Sequence, residues 1–280
     1  MFTLALENTK MANSIYSYIL ENFNLTNISV KKHSEEIKFK FKINNDNFYT
    51  AFSLSFTDLI IHFYEETILK DILKRNYFYF SYDEQLEILD ICNSMLNDEE
   101  SHHKKDLIFL SVFDYIKNND FMNLKGFIQF RLKDYLEILD YLVDLAVNNF
   151  IINREYLRFI DLLQDYITSS DSKLDVAHLI YLGTESVLLD DSNNLIPIDE
   201  HIFDAKYLSD ISFSTNDYVL NTLLNLLPKK LYIHILDKED EFIYTLEKIF
   251  KDRIVICFDC DMCNIYKNTI SFVNSKNLDS

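Results

Sequence analysis

Apolar positions along this chain follow two rhythms, and the chain changes character where the rhythm changes. Near the N-terminus E-I-K-F-K-F-K-I alternates strictly, with Ile37, Phe39, Phe41 and Ile43 on one side and Lys38, Lys40 and Lys42 on the other. A period of two belongs to a half-buried strand. The lysine row reads as a solvated or edge face guarded by charge against strand pairing, in preference to an anion or partner surface. F-T-L-A-L predicts an earlier strand. M-A-N-S-I-Y-S-Y-I-L-E-N-F predicts a helix with Ile15, Ile19 and Phe23 on one stripe. Residues 1–46 therefore form a small N-terminal α/β unit.

From 47 to 170 the spacing turns helical. L-I-I-H-F-Y-E-E-T-I-L-K-D-I-L, D-E-Q-L-E-I-L-D-I-C-N-S-M-L and K-D-L-I-F-L-S-V-F-D-Y-I each carry an apolar stripe at helical steps. His62 and Cys92 fall inside these runs as core or boundary residues. His102 and His103 read as a solvated loop, because a two-ligand helix site needs i, i+4 spacing. In the longest run Leu124, Ile128, Leu132, Tyr135, Leu139, Leu142 and Ala146 recur at steps of three and four. A second stripe follows at Tyr156, Ile160, Leu163 and Ile167. The intervening N-N-F-I-I-N predicts a turn that folds the two into a long helical hairpin.

Past 171 the rhythm mixes. V-A-H-L-I-Y-L, G-T-E and S-V-L-L-D-D predict a β-hairpin with Gly183 near its turn. N-D-Y-V-L-N-T-L-L-N-L-L is a helix that Pro228 ends from outside. K-L-Y-I-H-I, E-D-E-F-I-Y-T-L-E-K-I-F and R-I-V-I-C-F make a βαβ unit with parallel strands. The expected fold is α+β: the N-terminal unit, the helical middle, a mixed α/β region over 171–274, and a polar tail at 275–280.

Composition narrows the function. The chain holds only two glycines, Gly126 and Gly183, among 280 residues. Walker A loops, G-x-G-x-x-G fingerprints and G-x-S-x-G elbows all need glycine where the backbone turns sharply or meets a ligand, so those enzyme classes are excluded. A net charge of −18 argues against nucleic acid and against anionic membranes as partners. The charge is uneven: residues 1–60 balance six lysines against six acids, and the other 220 residues hold 21 basic against 39 acidic side chains. No stretch is apolar enough to span a bilayer and no signal peptide is expected, so the default compartment is cytoplasmic, where cysteines stay reduced.

L-K-G-F-I-Q-F-R-L-K-D-Y-L, continuing through R-E-Y-L-R-F-I-D-L-L, resembles the YtxC sporulation protein family of spore-forming Firmicutes. V-A-H-L-I-Y-L and L-L-P-K-K-L-Y-I-H-I are similar to that family as well. The resemblance implies a cytoplasmic role connected with sporulation and supplies no reaction, cofactor or catalytic residue. Within the R-L-K-D-Y segment, Arg131 and Asp134 at i, i+3 read as a surface ion pair in preference to a ligand clamp. Gly126 marks a helix start or close packing.

Chemistry concentrates in I-V-I-C-F-D-C-D-M-C-N, residues 254–264. C-x-x-C-x-x-C brings Cys257, Cys260 and Cys263 into one short loop, as zinc and iron–sulfur sites require, and His234 on the neighbouring strand is the candidate fourth ligand. The simpler alternative buries Cys257 as a small hydrophobe and leaves the other thiols incidental, in which case no cofactor is expected. A thioredoxin-like role needs a helix after the first cysteine, and D-M-C-N-I-Y-K-N looks too short and polar for one. Asp259 and Asp261 resemble a D-x-D magnesium site for phosphotransfer, but a phosphate cradle is missing and the preceding strand closes in the acidic loop Asp237–Asp240. Asp199, Glu200, His201 and Asp204 read as a solvated loop. The sequence thus points to a non-enzymatic cytoplasmic protein with protein partners; the alternative is a zinc- or iron–sulfur-binding protein, with a phosphotransfer enzyme a distant third.

Overall fold

The alternating run forms the strand its period requires, and its apolar side lines the first of two cores. The computed structural model describes all residues except 8–9, 24–27, 44–46, 97–100, 184–185, 199–213, 237–239 and 268–280, with backbone alone at 10 and 101–103. The acidic group at 199, 200, 201 and 204 lies outside the described residues, as do the side chains of His102 and His103. The fold is α+β and divides into two compact units, Met1–Asn153 and Arg154–Ser280.

In the first unit β1 (Phe2–Glu7), β2 (Ile28–Lys32), β3 (Glu36–Phe41) and β4 (Phe121–Asn123) form a sheet in the order β2-β3-β1-β4. β3 is therefore an interior strand, and its lysines occupy a solvated face, not an edge. Phe2, Leu4 and Leu6 of β1 and Ile37, Phe39 and Phe41 of β3 are each at most 3% exposed. Helices α1 (Lys10–Asn22) and α2 (Asn47–Asn76) follow the first and third strands in sequence. Phe48, Phe52 and Phe56, one turn apart on α2, meet the sheet's aromatic side. Phe2–Phe52 and Phe41–Phe52 pack edge-to-face with centroids 5.1 Å apart. Such pairs add about 0.5–1.5 kcal/mol each beyond the area they bury. Helices α3 (Tyr82–Leu96) and α4 (Ser101–Asn118) complete this core, in which Cys92 is fully buried. Burial pushes the Cys92 thiol up to about 12, so it is a core residue as its stripe predicts. His62 instead lies at the surface, stacked on Tyr18.

The helical hairpin does not form. α5 (Leu124–Arg131) stops at Leu132, whose φ of −103° and ψ of 38° break the helix. α6 then runs without a turn from Lys133 to Ser169. N-N-F-I-I-N contains no glycine or proline, so nothing in it ends a helix. Three asparagines cost about 0.7 kcal/mol each against alanine, and Phe150, 7% exposed, sets a buried aromatic against that cost. The apolar stripe itself is right: Leu124, Leu132, Tyr135, Leu139 and Ala146 are all buried. Its register survives a break because Leu132 turns inward. Gly126 marks the start of α5, where its N–H donates to the side chain of Asn123 at 2.9 Å. Arg131 lies over the Tyr115 ring at 5.7 Å.

In the second unit β5 (Val176–Tyr181), β6 (Ser186–Asp190), β7 (Leu195–Ile196), β8 (Lys230–Ile235) and β9 (Ile254–Cys257) form a sheet in the order β7-β6-β5-β8-β9. β5 and β6 are the predicted antiparallel hairpin. α7 (Thr215–Leu226) leads to β8, which pairs in parallel with β5. β8, α8 (Glu241–Phe250) and β9 are the predicted βαβ unit, again in parallel. Ser214 and Asp217 close the start of α7 as a capping box. In a chain so poor in glycine, Leu227 takes the left-handed position after α7, with φ 46°. Its side chain is 1% exposed, and that burial offsets a conformational cost of about 1–2 kcal/mol. Arg253 ties the entry to β9 back to the unit, donating to the Ile167 and Pro228 carbonyls and to Ser172 at 3.0–3.3 Å.

Candidate metal centre

Strand parity decides which side chains of the second sheet can meet. Ala177, Leu179 and Tyr181 of β5, Leu231, Ile233 and Ile235 of β8, and Ile254 and Ile256 of β9 all pack into the unit's core. Side chains alternate across a sheet, so His178, Tyr232, His234, Val255 and Cys257 occupy the opposite face. The parallel register sets His234 beside Cys257. Beyond β9 the chain bends at 258–260 and turns into a short helix over 261–267. This helix, which the sequence seemed too polar to form, carries Cys263 back onto the sheet, where it is fully buried. Asn264 N–H donates to the Cys260 carbonyl at 2.9 Å and Lys267 to the Phe258 carbonyl at 2.9 Å. Backbone and side-chain bonds of this kind hold so short a helix.

Four donor atoms converge. The Nδ1 of His234 and the Sγ atoms of Cys257, Cys260 and Cys263 all lie within 4.8 Å of one another. Cys263 Sγ is 3.8 Å from Cys257 Sγ and 3.6 Å from Cys260 Sγ. His234 Nδ1 is 3.4 Å from both Cys260 Sγ and Cys263 Sγ. Bonds of about 2.3 Å to sulfur and about 2.0 Å to nitrogen about a tetrahedral ion put two sulfurs about 3.8 Å apart, and sulfur and nitrogen about 3.5 Å apart. Four of the six spacings, at 3.4–3.8 Å, are close to those edges, and the two from Cys257 to Cys260 and His234 lie within 4.8 Å. The group could hold one metal ion, and all four residues named from the sequence are in it.

Local electrostatics suit a cation. Burial, and then the neighbouring His178, hold His234 down to about 4, so its imidazole is neutral at physiological pH. Burial, with hydrogen bonds that the Cys257 thiol donates toward Cys260 and Cys263, pushes Cys257 up to about 11. Burial also disfavours the Cys260 thiolate, but the Cys263 N–H donates to its sulfur at 3.5 Å, and with the neighbouring thiols this moves its net titration down. Crowded sulfurs resist becoming several anions unless positive charge joins them.

Other candidates are not brought together. Asp259 on the bend and Asp261 at the start of the following helix are exposed and are not part of this group. Asp240 instead caps α8, accepting from the Phe242 and Ile243 N–H groups at 3.0 and 3.3 Å. One neighbour escaped sequence reasoning: His178, whose Nδ1 lies 3.0 Å from Nε2 of His234. Alternation in V-A-H-L-I-Y gives its face of the sheet. Only the β5–β8 pairing gives its place.

The family model described as YtxC-like matches residues 50–255. The chain belongs to the YtxC-like family. A member from Bacillus subtilis (strain 168), "Uncharacterized protein YtxC", is 20% identical over 200 residues, covering 68% of this chain and 70% of that protein. No solved structure matches. The YtxC-like match contains His178 and His234 and ends before Cys257, so the candidate centre stands on this chain's own geometry. No helix among the described residues is long and apolar enough to cross a membrane.

Proposed function

We propose that this YtxC-like protein binds one zinc ion through His234, Cys257, Cys260 and Cys263, and that the ion is structural. The observation that carries this reading is the convergence of one imidazole nitrogen and three sulfurs within 4.8 Å, four of the six spacings being close to tetrahedral edge lengths. Cys₃His is a structural zinc set, and four protein ligands leave no open position for the water that catalytic zinc activates. Iron–sulfur ligands sit on different irons and span more than one tetrahedron, so the spacing favours a single ion over a cluster. When bound, the ion supplies cohesion: it joins an interior strand, an edge strand and the helical turn after it. A cytoplasmic setting keeps the thiols reduced and available.

The test is anaerobic purification with elemental analysis and a visible spectrum. The expected result is a colourless protein with one zinc per chain, lost in Cys260→Ser. A wild-type protein that carries no metal and takes up none from added zinc would remove the reading.

A second reading concerns partners. We take the protein's role in a spore-forming cell to be non-enzymatic protein binding, supported by the exposed aromatics Phe78, Tyr79 and Tyr82 at 62–75% exposure. Deleting the gene and counting heat-resistant spores tests the link to sporulation. Complementation by a variant with all three changed to alanine tests the surface.

A further inference from the structure

The proposed ligand set uses one nitrogen of His234 and leaves the other to the protein. Nδ1 faces Cys260 and Cys263 at 3.4 Å, and Nε2 lies 3.0 Å from Nδ1 of His178. We propose that His178 is the positioning residue of the metal centre: it accepts the Nε2–H of His234 and so presents the Nδ1 lone pair to the ion. This role rests on the zinc reading above.

Proton bookkeeping leaves one arrangement. A neutral imidazole carries a single N–H. If Nδ1 of His234 gives its lone pair to zinc, the proton sits on Nε2, and the ring nitrogen 3.0 Å away must accept it. His178 then carries its own proton on Nε2. The reverse polarity, with His178 donating from Nδ1, puts the His234 proton on Nδ1. A hydrogen would then point at the sulfurs, and the site would be closed to a cation. Polarity of this one hydrogen bond therefore decides whether the centre can load.

The acceptor is built to stay in place. His178 lies on β5, an interior strand, paired in parallel with β8 so that His178 is level with Tyr232 and Ile180 with His234. Its ring stacks on Tyr232, with centroids 5.1 Å apart and 16° between planes. Strand and stack together fix the ring on one side while the hydrogen bond uses its edge. Outer partners of metal-bound histidines orient the ring and strengthen the ligand, and their loss costs about 10–100-fold in affinity.

Two measurements on the full-length protein test this. In ¹⁵N-labelled, zinc-loaded wild type, long-range ¹H–¹⁵N correlation should show His234 metallated at Nδ1 and protonated at Nε2, and His178 protonated at Nε2 only. A proton on Nδ1 of His178 overturns the role without any variant being needed. In chelator competition, His178→Leu should bind zinc about 10–100-fold more weakly, while His178→Gln, which keeps an acceptor oxygen, should recover most of that loss. The cobalt-substituted Leu variant should also show altered d–d bands, which a distant packing defect would leave alone. Wild-type zinc binding with an unchanged Leu variant overturns the role and spares the zinc reading. A wild type that binds no zinc overturns both.

Discussion

Removing the metal should loosen the second unit and leave the first alone. The proposed ligands come from β8, from the end of β9, and from the bend and helix that follow. β9 is four residues long and lies at the sheet's edge. Without the ion, its hold on the sheet is one strand's pairing with β8, the core packing of Ile254 and Ile256, and the Arg253 anchor. Cys263 Sγ then faces the Cys257 and Cys260 sulfurs at 3.8 and 3.6 Å with no cation between them. A ligand that binds only the folded state stabilises it by RT ln(1 + [L]/Kd), about 4 kcal/mol at a thousandfold excess over Kd. For a unit the size of Arg154–Ser280, that is a fall of about 12–20 °C in its melting temperature on chelation. The assay is thermal unfolding followed by circular dichroism, with and without chelator, and with zinc restored. Cys92→Ser is the control, since Cys92 is buried in the first unit's core and its variant should keep the zinc-dependent shift. Cys263→Ser should melt near the chelated wild type and respond little to zinc. A wild-type transition that is unchanged by chelation in a protein shown to contain zinc would refute a structural role.

Further outcomes follow from single contacts. Zinc affinity should rise with pH between 6 and 8: Cys257, raised to about 11, is protonated throughout that range in the metal-free protein, so zinc must expel its proton, and affinity gains about tenfold per pH unit for each proton expelled. His234, neutral above about 4, should contribute no proton; isothermal titration in buffers of different ionisation enthalpy counts the protons, and release of more than the three thiol protons as pH drops toward 6 would contradict the assignment. Arg253→Ala should destabilise the second unit by about 2–3 kcal/mol in urea unfolding, because two carbonyls and a hydroxyl lose a charged donor. Lys104→Met should cost the first unit about 3 kcal/mol, since it strands Glu65, whose carboxylate otherwise accepts from Lys104 at 3.1 Å and Tyr135 at 2.8 Å in a nearly closed site; a near-neutral result would show that water reaches Glu65.

What the sequence could and could not show about this site comes down to pairing. Alternation in E-I-K-F-K-F and periodicity from Leu124 to Ala146 named core residues because each signal is local: a side chain's face follows from its own neighbours in the chain. The same local logic missed the break at Leu132 and invented one at N-N-F-I-I-N, because the first is set by packing and the second has no breaker to enforce it. It also dismissed the helix at 261–267, whose polar residues face out while Cys263 alone turns in. Three of the four proposed ligands announce themselves by spacing, and His234 could be suspected once K-L-Y-I-H-I and R-I-V-I-C-F were read as adjacent parallel strands. His178 needed one more step. It lies 56 residues from His234, and no spacing rule connects them; only the parallel register of β5 on β8 does. The ligands of such a centre can thus be legible in the chain while the residue that aims them is legible only in the sheet, so a search of relatives for this centre should pair the C-x-x-C-x-x-C loop with a histidine two strands away.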